Sequence, residues 1–292
     1  MAAFDRPRKG ERHSAATIGT FDGVHLGHRR LIEETRRQAE TSGLSCLAVT
    51  FDRHPMATVR PAATPRLLTG LEHKLELLRA LGVDVVVLEF NAARAAQSAE
   101  DFVEQVLVGE LGVRALIVGS TFHFGHRHRG NVALLRSMGA NLGFSVTSID
   151  LVTDDGEHTV ISSSFIRSLV GERRLDEARR LLGRDYEVRG EVVDAARHLI
   201  AIRAELLVPP GGDYRATWSV GGFAASGTAR VGGTGKGGET VVELSGEPSG
   251  TGDGSPHGLV QGSSVAVRFV APVGSSRQRG RSQPPSRSAG RR

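Results

Sequence analysis

Residues 19–28 read Gly19-Thr20-Phe21-Asp22-Gly23-Val24-His25-Leu26-Gly27-His28. The stretch lies between a short apolar run, Ala15–Ile18, and a segment in which Leu31, Ile32, Thr35 and Ala39 recur at helical spacing until Gly43 stops it. It reads as a strand-to-helix turn. A helix N-terminus carries free N–H groups and the positive end of the helix dipole, which suit a phosphate. Glycines let the backbone approach a ligand closely. His25 and His28 are three apart, so a helical first turn puts them on one face. Two imidazoles there can donate hydrogen bonds to phosphate oxygens as negative charge builds up. The competing readings are a metal pair and ordinary capping residues. Zinc usually wants three or four ligands, and no third stands nearby.

The same alternation continues outward. Leu44–Phe51 is a continuous apolar strand. Thr69-Gly70-Leu71-Glu72 has the spacing of a capping box, and Leu75, Leu78 and Leu81 follow before a stop at Gly82. Asp84–Phe90 is a second buried strand. Ser98 and Asp101 start a helix ended by Gly112, and Ala115–Val118 is again a strand. Asn131 can cap a helix running to Leu142, and Phe144–Leu151 returns to strand. Apolar strands alternating with amphipathic helices give a parallel sheet covered on both faces, an open doubly wound α/β domain of Rossmann-like type. Its ligand site belongs at the carboxyl ends of the strands, near the switch in strand order.

From Tyr186 the helical patterns vanish. Glu187–Val193, Ile200–Val208, Arg215–Val220, Thr240–Leu244 and Ser264–Val270 look like short strands joined by glycine-rich turns, a small all-β barrel or sandwich. The expected division is 1–186 for the α/β domain, 187–274 for the β module and 275–292 for a tail. That tail holds six arginines and no acid, so removing it takes the net charge from +5 to −1. It is expected to be disordered and solvated, and it is the one segment suited to RNA or another polyanion. No run approaches the roughly 18 apolar residues of a membrane span. Met1–His13 lacks the apolar core of a signal peptide. The single cysteine, Cys46, lies in an apolar run and reads as a buried thiol in a cytoplasmic protein.

Three further segments carry polar chemistry. Thr50-Phe51-Asp52-Arg53-His54-Pro55 ends the second strand, on the ligand side of the sheet. Gly119–Asn131 contains Thr121, Phe122, Phe124 and Gly125 within a strongly basic loop, suited to an anion or to a ring; a solvated loop is the next reading, and a metal, suggested by three histidines but with no carboxylate or thiol beside them, the third. Ser162, Ser163 and Ser164 precede a helix with Arg167 one turn on; serines there are ordinary caps, and with the arginine they also make an anion site. Gly233–Gly238 has a GxGxxG spacing, but it leads into a strand and fails the context test for a dinucleotide loop.

These segments, in this order, closely resemble the prokaryotic FAD synthetases, bifunctional riboflavin kinase/FMN adenylyltransferases. The family pattern has GxFDGxHxGH, an FxPHP-like strand end, a GxxFxFG loop, an ISSTxIR segment and an LLGRPY linker, here Leu181–Tyr186. The match covers about Thr17–Arg189. The resemblance implies transfer of AMP from ATP to FMN, giving FAD and pyrophosphate, with Mg²⁺ accompanying ATP and no protein metal ligands. It implies that His25, His28 and Arg167 serve the reaction. Gly19, Thr20, Phe21, Asp22, Gly23 and Gly27, with Ser162, Ser163 and Ser164, would hold the ATP phosphates. Asp52, His54, Pro55 and the Phe122–Gly125 loop would lie near the flavin. Thr121 stands where the family often has Asp or Asn, and Asn131 where Asp is common. Arg53 replaces a frequent Pro, and Ser164 replaces Thr. The β module departs further. It lacks the family's Pro-Thr-Ala-Asn motif, and the usual glutamate falls on Val241, with Glu239 and Glu243 close by. It is expected to be a degenerate riboflavin kinase barrel without kinase activity. The alternatives are a nucleotidyltransferase for another phosphate acceptor and a non-catalytic flavin or nucleotide binder.

Overall fold

Strand β1 (Ser14–Ile18) is buried along its whole length, as a central strand covered on both faces must be. The computed structural model describes residues 13–150, 160–248 and 259–274. The arginine-rich tail and the segment before His13 lie outside the described residues. β2 (Ser45–Phe51), β3 (Asp84–Leu88) and β4 (Val113–Gly119) follow, with two-residue strands β5 (His123–Phe124) and β6 (Gly130–Asn131), then β7 (Ser145–Ile149). The main sheet runs β3-β2-β1-β4-β7, every pair parallel. The order reverses between β1 and β4, so the crevice at their carboxyl ends is where such sheets bind ligands.

The helices form where the spacing placed them. Leu26–Ser42 buries Ile32, Thr35 and Ala39 and ends at Gly43 in the left-handed region, φ 64°. Val132–Leu142 is capped by Asn131, whose Oδ1 accepts from the Leu134 N–H at 3.0 Å. Two expectations differ. The helix begun at Ser98 passes at Phe102 into a π-helix, Phe102–Glu110. The capping box at Thr69 does not form: Gly70 is the N-cap of helix Leu71–Arg79, and the Thr69 hydroxyl accepts from the Gly23 N–H instead.

The second domain is a closed antiparallel barrel of six strands in the order β10-β11-β12-β9-β8-β13. Its strands are β8 (Tyr186–Asp194), β9 (Leu199–Ile202), β10 (Gly212–Val220), β11 (Phe223–Thr234), β12 (Thr240–Pro248) and β13 (Ser264–Pro272). Composition hides the longest, β11. Its inward positions are Ala225, Gly227, Ala229 and Val231, mostly small residues. A Cβ on Gly227 would come 2.2 Å from the Ser245 carbonyl oxygen, and one on Gly246 would sit 2.8 Å from the Trp218 ring. The expected strand Ile200–Val208 is shorter, because Arg203–Val208 turns away to meet the first domain.

Packing joins the domains. Helices Ser163–Gly171 and Leu175–Leu182 share one apolar core with the barrel interior, and Leu68 from the first domain enters it.

Candidate active site

The turn after β1 is backbone-strained. Phe21 and Val24 have φ of 49° and 39°, a region that costs a residue with a Cβ of order 1–3 kcal/mol. Such a conformation persists only when its surroundings over-determine it, and here they do. Every carbonyl from Thr20 to His25 has a donor. Lys74 Nζ donates to Thr20 O at 3.2 Å and to Phe51 O at 3.0 Å. Val24 N–H closes on Phe21 O, and Ser163 Oγ donates to Asp22 O at 2.8 Å. Arg184 donates to Gly23 O at 2.7 Å and to Val24 O at 3.3 Å. Arg29 N–H completes His25 O.

Asp22 anchors the turn through its side chain. The buried carboxylate accepts from the Leu68 N–H at 2.9 Å, from the Thr69 N–H at 3.0 Å and from an Arg167 guanidinium nitrogen at 2.6 Å. Arg167 also donates to Arg66 O. Asp22 and Arg167 thus face each other, and both hold the segment Arg66–Thr69 against the turn. Gly23 is required at φ 80°, and a Cβ there would meet Leu68 Cδ1 at 2.8 Å.

His25 is the N-cap of helix Leu26–Ser42, and its Nδ1 accepts from the His28 N–H at 3.3 Å. That bond fixes the neutral tautomer with its proton on Nε2, a free donor. The His25 and His28 rings stack with centroids 3.6 Å apart, and Phe21 meets His28 edge-on. Burial first, then Arg184 and Arg167, holds the His25 pKa down to about 4. Burial, then His25 and Lys74, holds His28 well below its ordinary value. Both rings are neutral at pH 7. His28 Nδ1 is enclosed and has no hydrogen-bond partner. Gly27 makes room for the pair: a Cβ there would lie 3.1 Å from His25 Cε1 and Nδ1.

Asp52 and His54 lie beside this turn, lining a small pocket with Thr20, Asp22, Arg53 and Lys74. Asp52 accepts from the Phe90 N–H at 2.8 Å and from Arg53 Nε at 3.0 Å. Burial pushes its carboxyl up, but these hydrogen bonds outweigh it and leave the pKa lowered. His54 Nδ1 accepts from the Met56 N–H, and Pro55 opens the short helix that follows. Ser162 caps helix Ser163–Gly171, accepting from the Phe165 N–H, while Ser164 is exposed.

The Phe122–Gly125 loop sits at the carboxyl end of β4, beside β1. Phe122 stacks on Phe124, which is buried against Phe102. Gly125 has φ 70°, and a Cβ there would strike Ala99 at 2.7 Å. Thr121 is exposed at the rim, and its carbonyl bonds His123 Nδ1. The loop is therefore built onto the helix at Ala99, separately from the contacts that join the histidines, Asp22, Arg167, Ser163, His54 and Lys74.

A family model described as FAD synthetase matches residues 8–165, more than half of the sequence. The chain belongs to the FAD synthetase family. Among relatives, the bifunctional riboflavin kinase/FMN adenylyltransferase of Pseudomonas fluorescens is 34% identical over 234 residues, 77% of this chain and 74% of its own length. That of Buchnera aphidicola subsp. Schizaphis graminum is 30% identical over 187 residues, 64% of this chain and 60% of its own. That of Escherichia coli K12 is 35% identical over 178 residues, covering 61% and 56%. The chain thus spans little more than half the length of some of these relatives. A solved structure described as a macrolide-efflux protein from Streptococcus pneumoniae superposes with a TM-score of 0.74, covering 91% of this chain and 88% of its own, at 20% identity. At that identity the likeness speaks for the two-domain fold alone.

Two residues without a motif of their own in the sequence stand out. Lys74 is buried, and burial lowers its pKa to about 8 against the opposing pull of Asp22 and Asp52. In sequence its helix shows only the spacing of Leu75, Leu78 and Leu81. Arg184 looked like a linker residue. No helix of the described residues is long and apolar enough to cross a membrane.

Proposed function

We infer that this chain is an FMN adenylyltransferase. An oxygen of the FMN phosphate attacks the α-phosphorus of ATP. A new P–O bond forms, the bond to the β-phosphate's bridging oxygen breaks, and pyrophosphate leaves with the electron pair. The nucleophile is already anionic, so no strong base is needed and positioning with charge neutralisation carries the rate. The observation that supports this most is the neutral, stacked His25–His28 pair on a helix N-terminus at the sheet's switch point. Neutral imidazoles donate N–H bonds to phosphate oxygens without losing a proton to the solvent at pH 7.

The turn Gly19–Gly23 and Gly27 supply close backbone. Lys74 and Arg184 make the turn electropositive. Ser162 and Ser164 lie one turn from Arg167, on the nucleotide side in this reading. Asp52, His54, Pro55, Phe122 and Phe124 border the acceptor, with Thr121 and Asn131 at the outer rim. Mg²⁺ accompanying the triphosphate would neutralise charge on the departing pyrophosphate. Among the described residues no group of three or more His, Cys, Asp or Glu could hold a metal ion.

The barrel works without kinase activity in this reading, since β8 runs into β9 through a short turn lacking a Pro-Thr-Ala-Asn motif. The proposed compartment is the cytoplasm, where both substrates arise. Incubation with FMN, ATP and Mg²⁺ should yield FAD and pyrophosphate, and absence of FAD refutes the reading. Riboflavin with ATP should yield no FMN; its appearance would restore the kinase.

A further inference from the structure

The barrel grips the first domain at two places. In the first, Leu67 forms an isolated parallel bridge with Leu206: its N–H donates to Glu205 O at 2.7 Å, and its carbonyl accepts from the Leu207 N–H at 2.8 Å. Tyr186 Oη donates to Leu207 O at 2.6 Å, fixing that barrel segment to β8. The next two amides along the strap, Leu68 and Thr69, are those that bind the Asp22 carboxylate. One extended segment therefore hydrogen-bonds the barrel at Leu67 and the strained turn at Leu68–Thr69. In the second place, helix Leu71–Arg79 lies between the two. Its Lys74 holds Thr20 O, while Glu76 forms an ion pair with Arg189 at 2.6 Å and His73 Nε2 lies 3.4 Å from Glu187. Glu187 is buried and also receives Arg268 Nε at 2.8 Å.

We propose that the barrel is a positioning part of the nucleotide site: Leu206 and the Glu205–Leu207 segment hold the strap whose amides set Asp22, and through it the Phe21–His28 turn. This rests on the nucleotide reading of that turn. The physical warrant is that adjacent strap residues, Leu67 and Leu68, hydrogen-bond the barrel and the carboxylate in turn. A turn held with two residues in strained backbone relaxes once a support is removed. Its amides and imidazoles then leave the geometry that grips phosphate, and small displacements of such groups are costly.

The test compares Leu206→Ala with Val267→Ala in the full chain. Leu206 is buried in the barrel segment that meets the strap and lies near Gly70, whereas Val267 is also buried on β13, paired with Val188 on the neighbouring strand β8. Both lose core contacts and should lower the melting temperature comparably. Calorimetric titration with Mg-ATP should show Leu206→Ala weakening binding about tenfold. Val267→Ala should stay within about twofold of the parent. A purely structural barrel would lower the amount of folded protein without moving the dissociation constant. Equal weakening in both variants, or none in Leu206→Ala, overturns the proposal. Should Leu206→Ala not fold, Glu76→Ala decides: it removes the exposed ion pair between the barrel and the helix that carries Lys74 and should weaken Mg-ATP in the same direction, an unchanged constant being contrary. FAD formation by the parent chain is measured in parallel. A parent that binds ATP yet makes no FAD sinks the adenylyltransferase reading while leaving the comparison intact. A parent that does not bind ATP sinks both.

Discussion

Replacing Asp22 should damage stability before it damages chemistry. In Asp22→Ala the Leu68 and Thr69 amides lose their acceptor, at roughly 1–3 kcal/mol for each buried group left unpaired. Arg167, with 16% of its side chain exposed, loses its carboxylate at the same time. Breaking a buried pair typically costs about 3–5 kcal/mol, and partial exposure of the arginine puts this one at the low end. The combined loss is on the order of 5 kcal/mol, a large share of the roughly 5–15 kcal/mol that holds a domain together. Asp22→Asn keeps one oxygen for the amides and loses the charge, so about 2 kcal/mol is expected. Arg167→Ala leaves the carboxylate its two amides and should fall near Asp22→Asn. Urea unfolding followed by far-ultraviolet circular dichroism reads all three, and a double-mutant cycle between Asp22→Asn and Arg167→Ala should show coupling of about 1–3 kcal/mol. If Asp22→Ala lies within about 1 kcal/mol of the parent, the carboxylate is not the anchor described here.

His28→Ala should cut FAD formation by at least about 100-fold with the dichroism spectrum unchanged, because it removes one imidazole from the pair; parental turnover would remove the histidines from the reaction. Gly27→Ala pushes a methyl to 3.1 Å from the His25 ring and should lower turnover about tenfold, whereas Gly171→Ala, with open space around the added carbon, should be silent in activity. Stability should depend on acidity through His25 and His73, both held near pKa 4 by burial. The unfolded chain binds their protons near 6.5, so between about 6.5 and 4 it holds more protons than the folded chain, and stability falls as pH drops through that window by up to roughly 3 kcal/mol for each ring. Urea midpoints at pH 7.5 and 4.5 check this, and a midpoint no lower at 4.5 contradicts it. Cys46 is half-buried with its thiol pushed up to about 11, so an aromatic disulfide reagent at pH 8 should label it far more slowly in native than in denatured protein.

What the sequence made legible follows the range over which each signal acts. β1, β2, β3 and β4, helix Leu26–Ser42 and its stop at Gly43 are local: apolar runs, a 3.6-residue period and a glycine at positive φ write themselves into adjacent residues. β11 was illegible for an equally physical reason. Its inward residues are small, Gly227 because the backbone of β12 lies against it, so nothing in 223–234 alone marks it as buried. The Thr69 capping box failed through competition. The hydroxyl had a local partner in reach, yet it binds the amide of Gly23, 46 residues away, leaving Gly70 as the cap. Lys74 and Arg184 belong to the same class. Their roles lie in carbonyls 54 and 161 residues distant, and no spacing within either segment announces them.

The pairing of Asp22 with Arg167 also resolves an electrostatic difficulty. An aspartate inside a phosphate-binding turn would repel a polyanionic triphosphate at close range, most strongly where the dielectric is low. Here the carboxylate is buried and already engaged by two amides and a guanidinium, and its charge is balanced before any ligand arrives. Lys74 and Arg184 then act from behind the turn, through its carbonyls, and their positive charges are not cancelled by direct ion pairing with that aspartate. With both imidazoles neutral, the face left to a phosphate consists of backbone and ring N–H donors in front of buried cations. A variant that reverses this order should separate the two effects. Lys74→Met keeps the bulk of the side chain and removes the charge. It should raise the Michaelis constant for ATP more than it lowers turnover, because the histidine donors stay in place while the field behind them weakens. Loss confined to turnover would instead put Lys74 among the groups that touch the reacting phosphate.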